Sequence, residues 1–349
     1  MGLSMSAMIS DTSNREPFDI LTMGRVGVDV YPLQPGVSLR HVTAFGKYLG
    51  GSATNVAVAA ARLGRRSAVI TKTGRDPFGE FIHDALRAFG VDDRWVGSVS
   101  HLPTPVTFCE IFPPDDFPLY FYRHPKAPDL ELTIDDVDVA AVKDARVFWV
   151  TVTGLSQEPS RTATLHALRQ RGRRDITVLD LDYRPMFWPS REYARRWVEE
   201  ALSMATVAVG NLDECLTAVG TAEPLAAAEA LRRAGVRLAV VKQGPKGVLG
   251  LADDGPVVVP PIDIDVVNGI GAGDAFGGAL CHGLLAGWPL DRVLRFANAA
   301  GAIVAGRLAC ADAMPTQDEI EQLLTARSDG QSSRRSGGEA SVEQEKADA

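Results

Sequence analysis

Side chains that bind soft metals are scarce in this 349-residue chain, which has four cysteines and six histidines. Cys109, Cys215, Cys281 and Cys310 form no Cys-x-x-Cys pair, and no histidine has His-x-x-x-His or His-x-x-Glu spacing. A zinc site and a disulfide framework both lack their ligands, so a reducing compartment is expected. Long apolar runs are missing too: none approaches the roughly 18 residues that a membrane span needs. The N-terminus has no basic-then-apolar signal pattern, and a cytoplasmic protein with no membrane partner is expected. Positive charge is in deficit, with 36 Lys and Arg against 44 Asp and Glu, a formal net charge of −8. Nucleic acid is therefore excluded as a partner, because neutralising phosphates needs a clustered basic surface. The longest basic run, RQRGRR at 169–174, reads as a solvated helix end. A Walker A loop is absent as well, since the glycine spacing of GRDPFG at 74–79 is followed by Glu80 and Phe81 instead of Lys and Ser or Thr.

What is present is an ordinary globular composition, 46% hydrophobic and 23% charged. Residues 1–17 and 328–349 are polar and unpatterned and are expected to be disordered tails around one domain at 18–327. Within that domain short apolar strands such as FDILTMG, SAVITKTG, RVFWVTV, ITVLDLD, ATVAVGN and LAVVKQG alternate with helical stretches. This pattern predicts an α/β fold with a mainly parallel sheet covered on both faces. Two segments, 26–50 and 104–123, break the alternation. Rich in β-branched and aromatic residues, they predict paired antiparallel strands forming a small sheet. Val42, Phe45, Phe108, Ile111 and Phe121 would place an apolar patch on it for a second copy of the chain to cover.

Three glycine- or cap-rich elements carry chemistry. In IDIDVVNGIGAGDAFGGALCH, residues 262–282, β-branched residues predict a strand. Gly269, Gly271, Ala272 and Gly273 then predict a tight turn into a helix starting near Gly273 or Asp274. Such a helix start attracts anions, yet it bears an acid, Asp274, which taken alone reads as an N-cap. In GGSATNVAVAAARLG, residues 50–64, a double glycine leads into a helix with Asn55 in its first turn, where it too reads as a cap. In GNLDE, residues 210–214, an amide and an acid three residues apart follow a strand at the carboxyl edge of the sheet, where open α/β folds bind ligands. Strand-to-helix caps use the same residues.

Taken together and in this order, GGSATN, Gly64 and Gly74, NLDE, VKQGPKG and GAGDAF resemble the ribokinase, or PfkB, family of sugar kinases over residues 18 to about 325. The resemblance implies a ribokinase-like three-layer sandwich with a small β-sheet lid, ATP and Mg²⁺ as cofactors, and a dimer clasped through the lid strands. It implies Asp274 as catalytic base, with Gly271, Ala272 and Gly273 donating N–H groups to the transferring phosphoryl. Asp29, Gly50, Gly51 and Asn55 would lie at the sugar. Asn211, Lys242, Gly244, Gly247 and Asn298 would lie at the nucleotide, and Glu214 at the metal. The family's usual Asp-Thr before the glycines is Asn268-Gly269 here. A monovalent cation is left open by the sequence.

Further stretches, FGKYLGGSATN, LYFYRHPKAPDLEL, DLDYRPMFW, VNGIGAGDAFGGALCHGLL and AMPTQDEIE, resemble the branch of the family that acts on 5-dehydro-2-deoxygluconate in myo-inositol catabolism. A sugar acid needs a cation as well as hydroxyl partners, and guanidinium matches a carboxylate bidentately. Arg123 and Arg184 are the candidates. For Arg123 the competing reading is an ion pair with Asp129 or Glu131, and for Arg184 a contact with the triphosphate. A 2-keto-3-deoxygluconate kinase would share the same base and the same need for a cation. A non-catalytic sugar-acid sensor on this fold could dispense with the base, and this chain has kept it.

Overall fold

The computed structural model describes residues 16–174 and 176–327, so the two expected tails fall outside the described residues except for Glu16 and Pro17. Along the chain the first part runs β1 Ile20–Met23, β2 Gly27–Pro32, β3 Phe45–Gly50, α1 Ser52–Arg62, β4 Ser67–Gly74, α2 Pro77–Ala88, β5 Val91–Asp92, β6 Val96–Val99, β7 Val106–Cys109 and β8 Leu119–Tyr122. There follow α3 Val139–Asp144, β9 Val147–Thr151, α4 Ser160–Arg171, β10 Ile176–Asp180, α5 Arg191–Leu202, β11 Val207–Asn211, α6 Leu212–Val219 and α7 Pro224–Arg233. The last part is β12 Leu238–Lys242, β13 Val248–Ala252, β14 Gly255–Val259, α8 Ala272–Leu285 and α9 Leu290–Ala305.

The large sheet has the order β14-β13-β12-β11-β10-β9-β1-β4-β5, with β6 also paired to β4. It is parallel from β12 to the β5 edge, and the hairpin β13–β14 extends it antiparallel. Alternate residues of each central strand feed two different cores, as period-two geometry requires. Val147 and Trp149 of β9 pack towards α1, α8 and α9. Phe148 and Val150 of the same strand pack towards α3 to α7. The result is the three-layer α/β sandwich that the alternation predicts, and at ~25 cal/mol per Å² of buried apolar surface these two cores are its main source of stability.

The small sheet has the order β3-β2-β7-β8. Its outer pairs are antiparallel, as expected, but the central pair β2–β7 is parallel. The reason is topological. β1 and β6 run in the same direction in the large sheet, and β2 and β7 leave it as their continuations. On this sheet Asp29, Thr107 and Phe121 share one row. Phe45, Phe108 and Tyr122 stack edge-to-face on the opposite side, with Phe45, Tyr120 and Tyr122 exposed. Three members of the predicted apolar patch are therefore elsewhere: Val42 lies in the loop before β3, Ile111 is fully buried, and Phe121 packs on Phe187.

Two more expectations are corrected. Residues 262–267 form no strand, because the N–H groups of Val267 and Asn268 both bond to Ala305 O at the end of α9 and not to a strand edge. The basic run at 169–174 is not wholly solvated. Arg171 is 1% exposed and donates to the carbonyls of Val142, Lys143 and Arg146, gathering the loop that follows α3. Among the described residues no helix is long and apolar enough to cross a membrane, and all four cysteines are buried and free.

Candidate active site

Two helix starts meet above the carboxyl edge of the large sheet. Gly51 precedes α1 at φ 104°, where an L side chain is strained, and a Cβ there would collide with the backbone of Arg25 and Val26. A Cβ on Gly50 would collide with the Asp29 carboxylate. The double glycine thus lets α1 begin directly beneath the lid strand β2. Gly271 caps α8 at φ 84°, in contact with Cys310, and α8 begins at Ala272, one residue before the earliest predicted start. The N–H groups of Asp274 and Ala275 bond to Gly271 O, leaving those of Gly271, Ala272 and Gly273 with no backbone acceptor among the described residues. Asn268 is fully buried; its side chain accepts from Ile270 N and donates to Leu308 O, which fixes the turn.

Neither Asp274 nor Asn55 is a cap. Asn55 Nδ2 donates to Asp274 Oδ2 at 2.8 Å, and Ser52 Oγ, one turn earlier on α1, donates to Asp274 Oδ1 at 2.8 Å. Asn55 Oδ1 is buried with no hydrogen-bond partner among the described residues. Burial pushes the Asp274 carboxyl above the usual carboxylate range, and the hydrogen bond from Asn55, the Arg25 charge and the hydrogen bond from Ser52 oppose that rise.

Around this pair the sheet edge presents alternating charge. Ser52 Oγ also lies 3.2 Å from Asp180 Oδ2 at the end of β10. Burial raises Asp180 to about 8, against the pull of Lys242 and with help from Asp182, Glu214 and Asp274. Two residues on, Asp182 receives Arg184 at 2.7 Å, Thr153 Oγ1 at 3.0 Å and Arg25 Nε at 3.4 Å. Burial alone would raise Asp182, but Arg184 and Arg25 bring it down to about 2. Glu214 and Asn211 form a reciprocal capping box at the start of α6, and Glu214 Oε1 lies 3.6 Å from Arg184. The capping reading of NLDE is therefore realised, and one Glu214 oxygen remains turned to the charged cluster.

Lys242 closes the ring. It ends β12, and a methyl built on Gly273 would sit 3.1 Å from its Nζ. Burial opposes its charge, but Glu214, Asp180, Asp274 and Asp182 outweigh burial and raise its pKa. An ammonium beside unpartnered N–H groups at a helix start is a place for a doubly charged oxyanion.

On the lid, Asp29 accepts from Tyr31 at 2.8 Å, and Tyr31 Oη touches Cys310 Sγ at 2.8 Å. Burial raises Asp29 to about 6 against the Tyr31 hydrogen bond and the Arg25 charge. Gly247 and Asn298 lie apart from this cluster. Both abut Pro260 after β14: Gly247 packs on its backbone, and Asn298 Nδ2 donates to its carbonyl at 3.0 Å. Gly244 opens the short 3-10 turn between Lys242 and Gly247. Arg123 is buried, held by both oxygens of Asp129 at 2.9 and 2.7 Å, with its guanidinium 5.2 Å from the Phe187 ring.

Arg25, Ser52, Asp180 and Asp182 join the site, although sequence alone assigns none of them a role: Ser52 lies within GGSATN and Asp180 and Asp182 within ITVLDLD, and Arg25 lies in neither. The available signal was positional: LDLD and MGR both stand where a parallel strand reaches its carboxyl edge.

The family model "pfkB family carbohydrate kinase" matches residues 18–317. The 5-dehydro-2-deoxygluconokinase of Shouchella clausii is 32% identical over 318 residues, spanning 88% of this chain and 95% of the relative. The protein of the same name from Photobacterium profundum is 32% identical over 319 residues, spanning 89% and 96%. Among solved structures, fructokinase with bound ATP from Xylella fastidiosa superposes with a TM-score of 0.77 at 27% identity, covering 88% of this chain and 98% of that one.

Proposed function

The chain belongs to the pfkB family of carbohydrate kinases, and within it we propose an ATP-dependent sugar-acid kinase that phosphorylates the terminal hydroxyl of 5-dehydro-2-deoxy-D-gluconate. The observation that carries this reading is the position of Asp274: a carboxylate in the first turn behind a glycine start, clamped through both oxygens by α1. Each carboxylate oxygen has a second lone pair, so the clamp leaves Asp274 able to accept the proton of an attacking alcohol.

The residues divide the work by place. Asp29, Gly50, Gly51 and Asn55 bind sugar hydroxyls, with the unpartnered Asn55 Oδ1 as an acceptor. The N–H groups of Gly271, Ala272 and Gly273, with Lys242, hold the oxygens of the transferring phosphoryl, whose loose transition state is served by positioning and charge. Arg184, which lies between Asp182 and Glu214, serves the triphosphate. Asn211, Gly244, Gly247 and Asn298 bind the nucleotide along the β11–β14 edge.

Mg²⁺ fits these residues. Among the described residues no three His, Cys, Asp or Glu side chains form a protein cage, and Mg²⁺ bound with ATP needs only one or two carboxylates besides phosphates and water. Glu214 would supply one, and the ion would neutralise β- and γ-phosphate oxygens. The same proposal includes a cytoplasmic homodimer that covers Phe45, Phe108, Tyr120 and Tyr122 on the outer lid face. A panel of sugar acids and neutral sugars, assayed for ATP-dependent phosphorylation, tests the reading. Preference for 5-dehydro-2-deoxygluconate is expected, and preference for a neutral hexose overturns it.

A further inference from the structure

A sugar acid entering this cleft carries its charge at one end of a six-carbon chain and its reacting hydroxyl at the other. The cation that reads the carboxylate must therefore face the cleft beneath the lid without bonding the base, and it must not already be neutralised. The two arginines that the sequence offers fail the last condition. Arg123 gives its bond to both oxygens of Asp129, itself 2% exposed, and turning it to a ligand would strand a buried carboxylate. Arg184 is held at 2.7 Å by Asp182 and faces Glu214 at 3.6 Å.

Arg25 meets the first two conditions and is the least neutralised of the three arginines. It follows β1 at the carboxyl edge, and its backbone lies against the Gly51 that starts α1. Its guanidinium stands 5.7 Å from the ring of Phe121, on the lid row that also carries Asp29. Its one ion pair is long, 3.4 Å from Nε to an Asp182 oxygen, and Asp182 is already engaged by Arg184 and Thr153. The two terminal nitrogens have no hydrogen bond among the described residues, and they are the pair that grips a carboxylate bidentately. Both Asp29 and Asp274 feel its charge, although it bonds neither.

We infer that Arg25, between the double-glycine helix start and the inner face of the lid, binds the carboxylate of the sugar acid and sets the preference for acids over neutral sugars. This rests on the sugar-acid reading above.

The test compares wild type, Arg25→Ala, Arg25→Lys and Arg123→Ala on 5-dehydro-2-deoxygluconate and on D-fructose, with KM for ATP measured in each. Arg25→Ala lowers kcat/KM for the acid by about ten- to a hundredfold, largely through KM, as expected for a charge-assisted contact away from the reacting centre. All kinetics are read on the alkaline plateau, where the loss of the Arg25 charge beside Asp274 no longer limits ionisation of the carboxyl. There KM for ATP rises far less than KM for the acid, and any turnover of fructose falls far less than that of the acid. Arg25→Lys, which keeps the charge but not the fork, recovers part of the loss. Equal losses on acid and fructose, a matching rise in KM for ATP, or a selective loss in Arg123→Ala with Arg25→Ala unaffected overturns the inference. A wild type that prefers fructose overturns the sugar-acid reading first and this inference with it.

Discussion

Asn55 and Asp274, 219 residues apart in sequence, are joined by a 2.8 Å hydrogen bond from Nδ2 to Oδ2. That contact binds two glycine-led helix starts into one device. The first carries the groups proposed at the sugar, and the second the proposed base and the N–H groups proposed to bind the phosphoryl. Ser52 fixes the other oxygen of the same carboxylate.

The Ser52 hydrogen bond has a consequence in the pH profile. As the proposed base, Asp274 can act only when ionised, so kcat is expected to fall as pH drops through its raised pKa. Ser52→Ala removes a donor that favours the ionised form. The acid limb of kcat therefore moves to higher pH, while the plateau at alkaline pH stays close to that of wild type. Superimposable profiles contradict this role.

Asp180 makes a prediction about stability. Its folded pKa of about 8 lies above the ordinary value of 3.8, so between these values the folded state binds more protons than the unfolded one. Stability from this group is present below about pH 4 and is lost as pH rises towards 8. Asp180→Asn cannot ionise and escapes the loss. Its Tm should match that of wild type only near pH 4 and exceed it by a growing margin as pH rises to about 8. A difference that does not vary with pH, followed by thermal denaturation across that range, contradicts the assignment.

The Lys242 ammonium lies close to Gly273, and the proposal gives it a role on the phosphoryl group. Lys242→Met keeps the stem and removes the charge. We expect kcat to fall by about 10²- to 10³-fold, the range for loss of one pre-organised oxyanion partner, with KM for the sugar acid little changed. Steady-state kinetics showing kcat within twofold of wild type would place Lys242 outside the reaction.

The outer lid face tests assembly. Phe45, Phe108, Tyr120 and Tyr122 make an aromatic patch, with Tyr122 65% exposed. Light scattering at micromolar concentration should give a dimer for wild type and a monomer for Tyr122→Glu. A monomeric wild type removes the clasped dimer from the account.

The parts legible in the sequence are those with local causes. Strand and helix alternation reports two-sided burial directly, and GGSATN and GAGDAF each need glycine at a helix start. The strand predicted at 262–267 failed because β-branched composition does not say which acceptor the backbone finds, and here it is Ala305 O. Arg25 and Asp182 were illegible for another reason. They are 157 residues apart, and they meet because β9 alone separates β1 from β10 in the sheet. Phe121 was legible as apolar but not as inward-facing, since the face is set by register with Asp29.

The base itself is the central claim, and Asp274→Asn is the most direct test of it. Asparagine keeps the size of the side chain and its tie to Ser52 and Asn55 but cannot take a proton. With ATP, Mg²⁺ and 5-dehydro-2-deoxygluconate, kcat should fall by about 10²- to 10⁴-fold while circular dichroism and Tm show a folded protein. A folded Asp274→Asn variant that retains more than half of the wild-type kcat would contradict the account.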